Sequence, residues 1–332
     1  MKIFLPSDGL FELKFPIDWT YNLSKGYIHQ FTFNKGISSF QISVLSEAAK
    51  KSFNKIKINP NFIKHDLGKT YVFELLLENG HEFNTTVWYL EKDRTIFLAS
   101  HTYPLECKYH EKYIFERETI LEIMNSLNII KPEERVLRIA WYKFTNFLDG
   151  IGASEEMFIN AEKNGCFIEC VCLLANQIDG MLRVSNILFD QILNKSLDMN
   201  VALIYQGEKD KRISEKEIYK LSETKGIIDK ALLEELYLVY DERNKVVHRY
   251  IISEITTRDI LEIAYKYSII RNKIRQVVYD LESKQIELGL GMTITKEMLT
   301  KEKIQETYDK FNATVFEKLG RIDLNNKPSD LL

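Results

Sequence analysis

The side chains best able to do chemistry together lie in one segment, which reads Tyr-Asp-Glu-Arg-Asn-Lys-Val-Val-His-Arg-Tyr over residues 240–250. Arg243 carries a permanently charged, planar group, and His248 belongs to the side-chain type that titrates nearest to neutral pH. Asn244 adds an amide that can orient a neighbour. A group to manage a proton, a cation at a phosphate and an orienting donor are what metal-free RNA cleavage requires. The segment therefore predicts a phosphodiester-cleaving site.

Helical spacing would bring these side chains into a narrow strip. If a helix runs through the motif, Asn244 and His248 share one face, because they are four residues apart. Arg243, Val247 and Tyr250 share the neighbouring face. His248 would act as general base or acid or donate to the leaving oxygen, Arg243 would stabilise the phosphate charge, and Tyr250 would contact the substrate.

The segment resembles the Arg-x-x-x-x-His signature of HEPN ribonucleases, including the Asn that directly follows the Arg in many members. It also matches the longer Arg-x-x-x-x-His-x-Tyr form of the toxins in MNT–HEPN toxin–antitoxin pairs. The context is similar, since apolar helical patterns precede and follow the motif (Leu232, Leu233, Leu236 and Tyr240; Ile260, Leu261, Ile263 and Ala264). The resemblance covers about residues 135–285 as architecture, and its specific part is the motif.

The resemblance implies a metal-independent endoribonuclease that needs no cofactor and acts on RNA as a homodimer. It further implies a toxin or an antiviral-defence effector. Arg243, Asn244 and His248 would be the catalytic residues. In the toxin–antitoxin pairs, the tyrosine that Tyr250 matches is the site where a nucleotidyltransferase partner attaches AMP, so an antitoxin of that kind is an expected partner.

Three alternatives stay open at the level of the sequence. Arg243 could pair with a nearby acid at the surface while His248 caps a helix end. A HEPN domain without activity could serve as a dimerisation scaffold beside a protein-binding amino-terminal domain. The chain could also be a nucleotide-binding regulatory protein.

The motif belongs to a half of the chain with helical patterns. One apolar run, at 166–193, is too dense for a single exposed stripe, and it predicts a helix buried on several sides by its own bundle or by a partner subunit. The predicted segments are helical patterns within 135–285 that include 228–250 and 256–282, a polar loop at 206–217, and a tail at 286–332 with a helix near 300–319.

The first 130 residues show the period of half-buried strands. Phe11, Leu13 and Phe15 alternate with polar residues, as do Phe40, Ile42 and Val44. Further strands are predicted at 27–33, 70–77, 83–90 and 95–102, and turns at 78–80 and 92–94 join the last three into an antiparallel meander. A helix at about 112–128 would cover the sheet with Ile114, Ile120, Leu121, Ile123, Met124 and Leu127. This layout resembles PsbP-like and related small α+β domains and carries no functional motif.

Composition sets the remaining limits. The 332 residues favour two domains, with a boundary at Lys131–Glu134 where a proline ends one helix and opens the next segment. We therefore expect an α+β, two-domain protein: an antiparallel-sheet domain at 1–130 with a packing helix and an all-α, HEPN-like bundle at 135–285. No run is long and apolar enough for a membrane, which predicts a cytoplasmic protein without membrane contact. A net charge of −3 argues against a broad basic surface for duplex nucleic acid.

Other chemistry-bearing residues are expected to be structural. Cys166, Cys170 and Cys172 lie in the apolar run and are interpreted as reduced core residues, so no metal site is predicted. The remaining five histidines have no shared spacing and are interpreted as surface or hydrogen-bonded residues (His29, His65, His81, His101 and His110). Neither a Walker-type nor a dinucleotide-binding glycine motif occurs, so the sequence gives no support for ATP or NAD chemistry.

Overall fold

Two compact units divide the chain between Val136 and Leu137, just past the predicted boundary. The strand unit (Met1–Val136) holds antiparallel sheets and one long helix, and the described part of the helical unit (Leu137–Leu332) is helical, which confirms the α+β, two-domain class. The computed structural model describes residues 1–16, 18–24, 28–33, 38–45, 63–66, 71–79, 82–107, 110–207 and 209–290. The predicted helix near 300–319 lies outside the described residues.

The described strands form two antiparallel sheets. Their bounds are β1 Lys2–Phe4, β2 Phe11–Phe15, β3 Thr20–Ser24, β4 Ile28–Thr32, β5 Ser39–Val44, β6 Ile63–Asp66, β7 Tyr71–Asn79, β8 Phe83–Lys92, β9 Thr95–Pro104 and β10 Asn128–Ile129. One sheet has the order β1-β2-β10 and the other the order β3-β4-β5-β9-β8-β7-β6. The predicted meander is therefore β7-β8-β9, whereas the short strands β1, β3, β6 and β10 escaped the sequence pattern.

The β8–β9 hairpin shows why the turn at 92–94 could be predicted from the sequence. Lys92 pairs with Thr95, so the loop has the two residues Asp93 and Arg94, whose φ angles are 45° and 64°. Positive φ at both positions gives the turn a twist that matches the twist of the flanking strands. Trp88 and Phe97, on the inner face of this hairpin, are fully buried.

Helix α1 (Glu111–Ser126) covers the core of the strand unit. Ile120, Ile123, Met124 and Leu127 are fully buried, in the same hydrophobic cluster as Phe11. Two details of the predicted helix were wrong. Ile114 is 49% exposed, and the chain leaves the helix after Ser126 because Asn128 and Ile129 pair with β2.

Five α-helices make up the described part of the helical unit, the first of them crossing the division between the units. They are α2 Pro132–Lys163, α3 Phe167–Asn194, α4 Glu215–Thr224, α5 Lys230–Arg249 and α6 Thr257–Glu287, with a 3-10 turn at Val201–Leu203. The prediction of a loop through residue 217 was wrong at its end, because α4 begins at Glu215. Ser214 and Glu217 form a reciprocal cap that starts this helix.

Helix α3 is buried within its own bundle. Val171, Leu174, Ile178, Leu182 and Leu188 are fully inaccessible, and α4, α5 and α6 all pack against this helix. The sequence left open whether the bundle or a partner subunit buries this helix. In the structure, the bundle itself covers α3. The density of its apolar residues gives no separate support for a dimer.

Within the described residues, no helix combines the length and apolarity needed to cross a bilayer.

The strand unit holds a buried polar group around His101, which is fully inaccessible. Ser38 Oγ lies 2.6 Å from His101 Nε2 and also donates to the Glu116 carboxylate. Since the hydroxyl has one proton, His101 Nε2 must donate to Ser38. His101 Nδ1 is then an acceptor, and it has no partner among the described residues. The Glu116 carboxylate also lies 3.5 Å from His101 Nε2, on the same side of the ring as Ser38. The group therefore lacks the arrangement of a Ser-His-acid triad, in which the acid binds Nδ1.

Burial lowers the pKa of His101, and the nearby Glu116 only partly offsets that effect. An unfolded histidine titrates near 6.5, so the unfolded chain takes up this proton first as the pH falls. The strand unit should therefore be most stable above that pH and lose stability as the pH falls below it, until the lower folded pKa is reached. His29, whose pKa burial also lowers, acts in the same direction.

We predict that His101→Gln flattens this acid dependence. Glutamine keeps an N–H that can reach Ser38 but does not titrate, while His29 leaves a residual slope in the variant. The measurement is urea unfolding followed by the fluorescence of the buried Trp19 and Trp88, at several pH values between about 7 and 5. Equal pH slopes for the wild type and the variant would contradict the assignment.

Candidate functional site

Helix α5 carries the whole motif up to Arg249. It begins where the Asp229 side chain accepts from the Leu232 N–H at 2.8 Å. Its buried positions, Leu233, Leu236, Val239 and Val246, follow helical spacing. Burial of Val246 (1% exposed), between Asn244 and His248, fixes the rotation of the last two turns.

Neighbouring helices hold α5 in place. The buried Tyr267 hydroxyl of α6 donates to the Val239 carbonyl at 2.8 Å, one turn before the motif. Lys266 of α6 bonds Glu242 at 2.5 Å. The backbone that bears the motif is thus held rigidly by α6.

Arg243 points towards α4 and is largely enclosed. Its Nη1 donates to Glu215 Oε1 at 2.7 Å, and the two side chains are only 16% and 20% exposed. Nη2 lies 3.4 Å from Asn244 Oδ1, and the Tyr240 ring lies 4.7 Å from the guanidinium carbon. The pairing of Arg243 with an acid, one of the alternatives above, is therefore present.

The other motif side chains face outwards to different degrees. Asn244 is half-buried and His248 is exposed. His248 makes no hydrogen bond or ion pair with any described residue, so it does not act as a helix cap. Tyr250, 43% exposed, follows the last helical residue.

The continuous helix separates Arg243 from His248 within one chain. Five residues correspond to about 7.5 Å along the axis and about 140° around it. The helix confirms that Asn244 and His248 lie on one face. Arg243 lies well around the helix from that face and points towards α4, so a bound phosphate would have to reach around α5 from His248 to the edge of the guanidinium.

A second pair of charges, on α3, supports the position of Glu215. Asp179 Oδ2 accepts from Arg183 Nε at 2.7 Å. The two terminal nitrogens of Arg183 donate to the carbonyls of Leu203 and Ile213 at 2.7 and 2.8 Å. Arg183 thus fixes both ends of the loop that leads to Glu215.

Burial changes the acid–base properties of this region. It raises the pKa of the Asp179 carboxyl, although Arg183 opposes the change. It also raises the pKa values of the Tyr219 and Tyr267 hydroxyls and of the Cys172 thiol. These tyrosines and this cysteine are neutral near pH 7, so they add no charge around the Asp179–Arg183 and Glu215–Arg243 pairs.

Sequence reasoning missed Glu215, Asp179 and Arg183 as parts of the site. The spacing of Asp179 and Arg183, four apart inside an apolar run, was a usable signal, because buried charges need partners. Glu215 gave no comparable signal. Its partner is 28 residues away, and its own position was predicted to lie in the loop at 206–217.

Cysteines form no metal centre in the described part of the chain. Cys166 is exposed at the start of α3, so its interpretation as a core residue was wrong, whereas Cys170 is buried and Cys172 is half-buried. No three His, Cys, Asp or Glu side chains converge in these residues as a metal site would require.

Comparisons with known proteins leave the chain unassigned. No family model matches it, and no curated protein matches it. A crystal structure from Bacteroides thetaiotaomicron VPI-5482 aligns over 74% of this chain and 79% of its own, with 15% identity and a TM-score of 0.33. A likeness at this level assigns neither fold nor function.

We predict that Arg243→Met and Glu215→Gln are not additive in stability. Each change removes one partner of an enclosed pair and should lower the free energy of unfolding by about 1–3 kcal/mol, less than for a fully buried pair because both side chains keep some solvent contact. The double variant should cost little more than one single variant. Urea unfolding followed by circular dichroism measures this cycle, and additive effects would show that the pair is energetically unimportant.

Proposed function

We propose that this chain is a metal-independent endoribonuclease of the HEPN class, a cytoplasmic protein that cleaves RNA as a homodimer. The observation that carries the proposal is His248. It is exposed on the last turn of a fixed helix, it is bonded to no described residue, and it lies on the same face as Asn244.

The chemistry follows from the three side chains. His248 removes the proton of a 2′-hydroxyl or supplies one to the leaving 5′-oxygen, as the 2′-oxygen bonds to phosphorus and the bond from phosphorus to the 5′-oxygen breaks. Arg243 stabilises the phosphate charge through the N–H groups of its guanidinium. Asn244 lies between them in sequence and bonds the guanidinium.

A second copy would complete this chemistry. The reaction takes one proton away and delivers another, whereas one motif offers a single imidazole. In a homodimer with facing motifs, one protomer's His248 would act as base and its partner's as acid. Apolar side chains beside the motif suit such an interface, since Ile251 and Ile252 are 92% and 82% exposed.

Tyr250 gives the proposal a route for control. Its ring is accessible two residues after His248 and would contact the substrate. In a toxin of the MNT–HEPN type, AMP attached here by an antitoxin nucleotidyltransferase would block the site by bulk and charge. A toxin or antiviral-defence role belongs to the same proposal.

The alternative is a HEPN scaffold without activity, which uses the helical unit for dimerisation and the strand unit for protein binding. One observation favours it. Arg243 is engaged by Glu215, which is a common structural use of an arginine. The two functions differ in whether His248 matters to any activity.

Cleavage of a labelled total-RNA pool in EDTA separates them. We expect wild-type protein to cleave RNA without metal, and His248→Ala to lower the rate by at least about 100-fold, as is typical of losing a general acid or base. Arg243→Met should also lower the rate.

Lys230→Ala is the matched control, because Lys230 is exposed at the opposite end of α5. It should leave the rate unchanged. Folding of every variant is checked by circular dichroism and its oligomeric state by ultracentrifugation. A folded, dimeric wild-type protein without RNA cleavage would favour the scaffold.

A further inference from the structure

The Arg243 guanidinium already holds an anionic group. Glu215 Oε1 accepts its Nη1–H at 2.7 Å, which is the geometry of a charge-assisted hydrogen bond. A carboxylate and a phosphodiester present similar oxygen acceptors to a guanidinium. Glu215 therefore occupies the kind of contact that a substrate phosphate would make.

Several contacts of the fold position the Glu215 carboxylate. Ser214 caps α4, so Glu215 is the first residue of the helix, and Arg183 fixes the preceding loop through the Ile213 carbonyl. The Tyr219 hydroxyl donates to the second oxygen, Glu215 Oε2, at 3.2 Å. Glu215 can therefore let Arg243 go while its other oxygen keeps a donor.

The contact also lies at the surface on one side. Each side chain keeps about a fifth or a sixth of its area exposed (20% for Glu215 and 16% for Arg243), so an incoming oxygen can reach the guanidinium without unfolding the bundle. The neighbouring Lys216 ammonium lies 4.4 Å from the Tyr240 ring centre, with 47% of its side chain exposed. This second cation between α4 and α5 is paired with the exposed Asp241 carboxylate at 3.4 Å.

We propose that Glu215 is an internal competitor for the RNA phosphate at Arg243, which weakens RNA binding until a phosphodiester displaces its Oε1. The inference rests on the proposed function, whose anion-binding residue it explains. In this arrangement the ion pair is the resting state of the site, and its strength sets how tightly an RNA must bind to engage the motif.

The test measures binding apart from cleavage. A fluorescently labelled single-stranded RNA is titrated in EDTA into His248→Ala protein, alone and with Glu215→Gln. Removing the competing charge should lower Kd by about 3- to 10-fold, the size expected for a partly screened ion pair. Adding Arg243→Met to the Glu215→Gln protein should abolish the gain.

Salt dependence supplies a second readout. One newly available phosphate contact on single-stranded RNA should steepen the slope of log K against log salt by about 0.7. Glu234→Gln is the charge-matched control, because Glu234 is exposed on α5 and pairs loosely with Lys230 at 3.9 Å. It removes the same charge from the protein and should leave Kd nearly unchanged.

Three results would overturn the inference: no tightening of RNA binding in Glu215→Gln, the same tightening in Glu234→Gln, or tightening that survives Arg243→Met.

If Glu215→Gln does not fold, Glu215→Asp replaces it, since the shorter side chain keeps the charge but weakens the pair. Tighter binding without cleavage by wild-type protein would disprove the nuclease while leaving the competition intact. RNA cleavage by wild-type protein with an unchanged Kd in Glu215→Gln would support the nuclease and disprove the competition.

Discussion

The helical unit depends on the burial of α3 along nearly its whole length. An apolar helix enclosed by α4, α5 and α6 excludes water from its own polar side chains, so each of those needs a partner inside the protein. Arg183 meets this need by donating to Asp179 Oδ2 and to two carbonyls of the loop before α4, whereas Asp179 Oδ1 has no hydrogen-bond partner among the described residues. The position of α4 therefore depends on the hydrogen bonds that the polar side chains of α3 require. Glu215, which pairs with Arg243, is positioned in this way by a helix that carries no residue of the motif.

The two units arrange polar groups in the core differently. In the helical unit, charged side chains pair across helices at the edge of the core. In the strand unit, a fully buried His101 bonds Ser38, which in turn bonds Glu116, while the rings of Tyr113 and Trp88 lie nearly parallel to the imidazole, at 6° and 15°. A hydrogen bond from a neutral imidazole and ring packing suit that site because burial disfavours the charged imidazole. The interpretation of His101 as an ordinary surface or hydrogen-bonded histidine was thus incomplete, since its Nδ1 is enclosed without a partner among the described residues.

Sequence patterns correctly predicted the strands, turns and helices whose structure depends on residues close together in the sequence. The alternation in β2 and β5, the two-residue turn at Asp93–Arg94 and the periodicity of α5 each come from neighbours in sequence. Strand β10 could not be seen in this way, because its two residues are held by β2, more than a hundred residues earlier. The same distinction applies to the candidate site. Arg243, Asn244 and His248 could be proposed from spacing, whereas the partner of Arg243 depends on a contact between two helices.

The buried Val246 has a consequence for how the motif can change during evolution. It fixes the rotation of α5 from a point between Arg243 and His248, so inserting or deleting one residue there would turn His248 by about 100° and drive a polar side chain towards the core. Packing alone therefore preserves the interval between these two residues, whether or not the chemistry is retained. Related chains that have lost the histidine would still be expected to keep the interval, and the identity of the side chain at position 248 would distinguish active from inactive descendants better than the spacing.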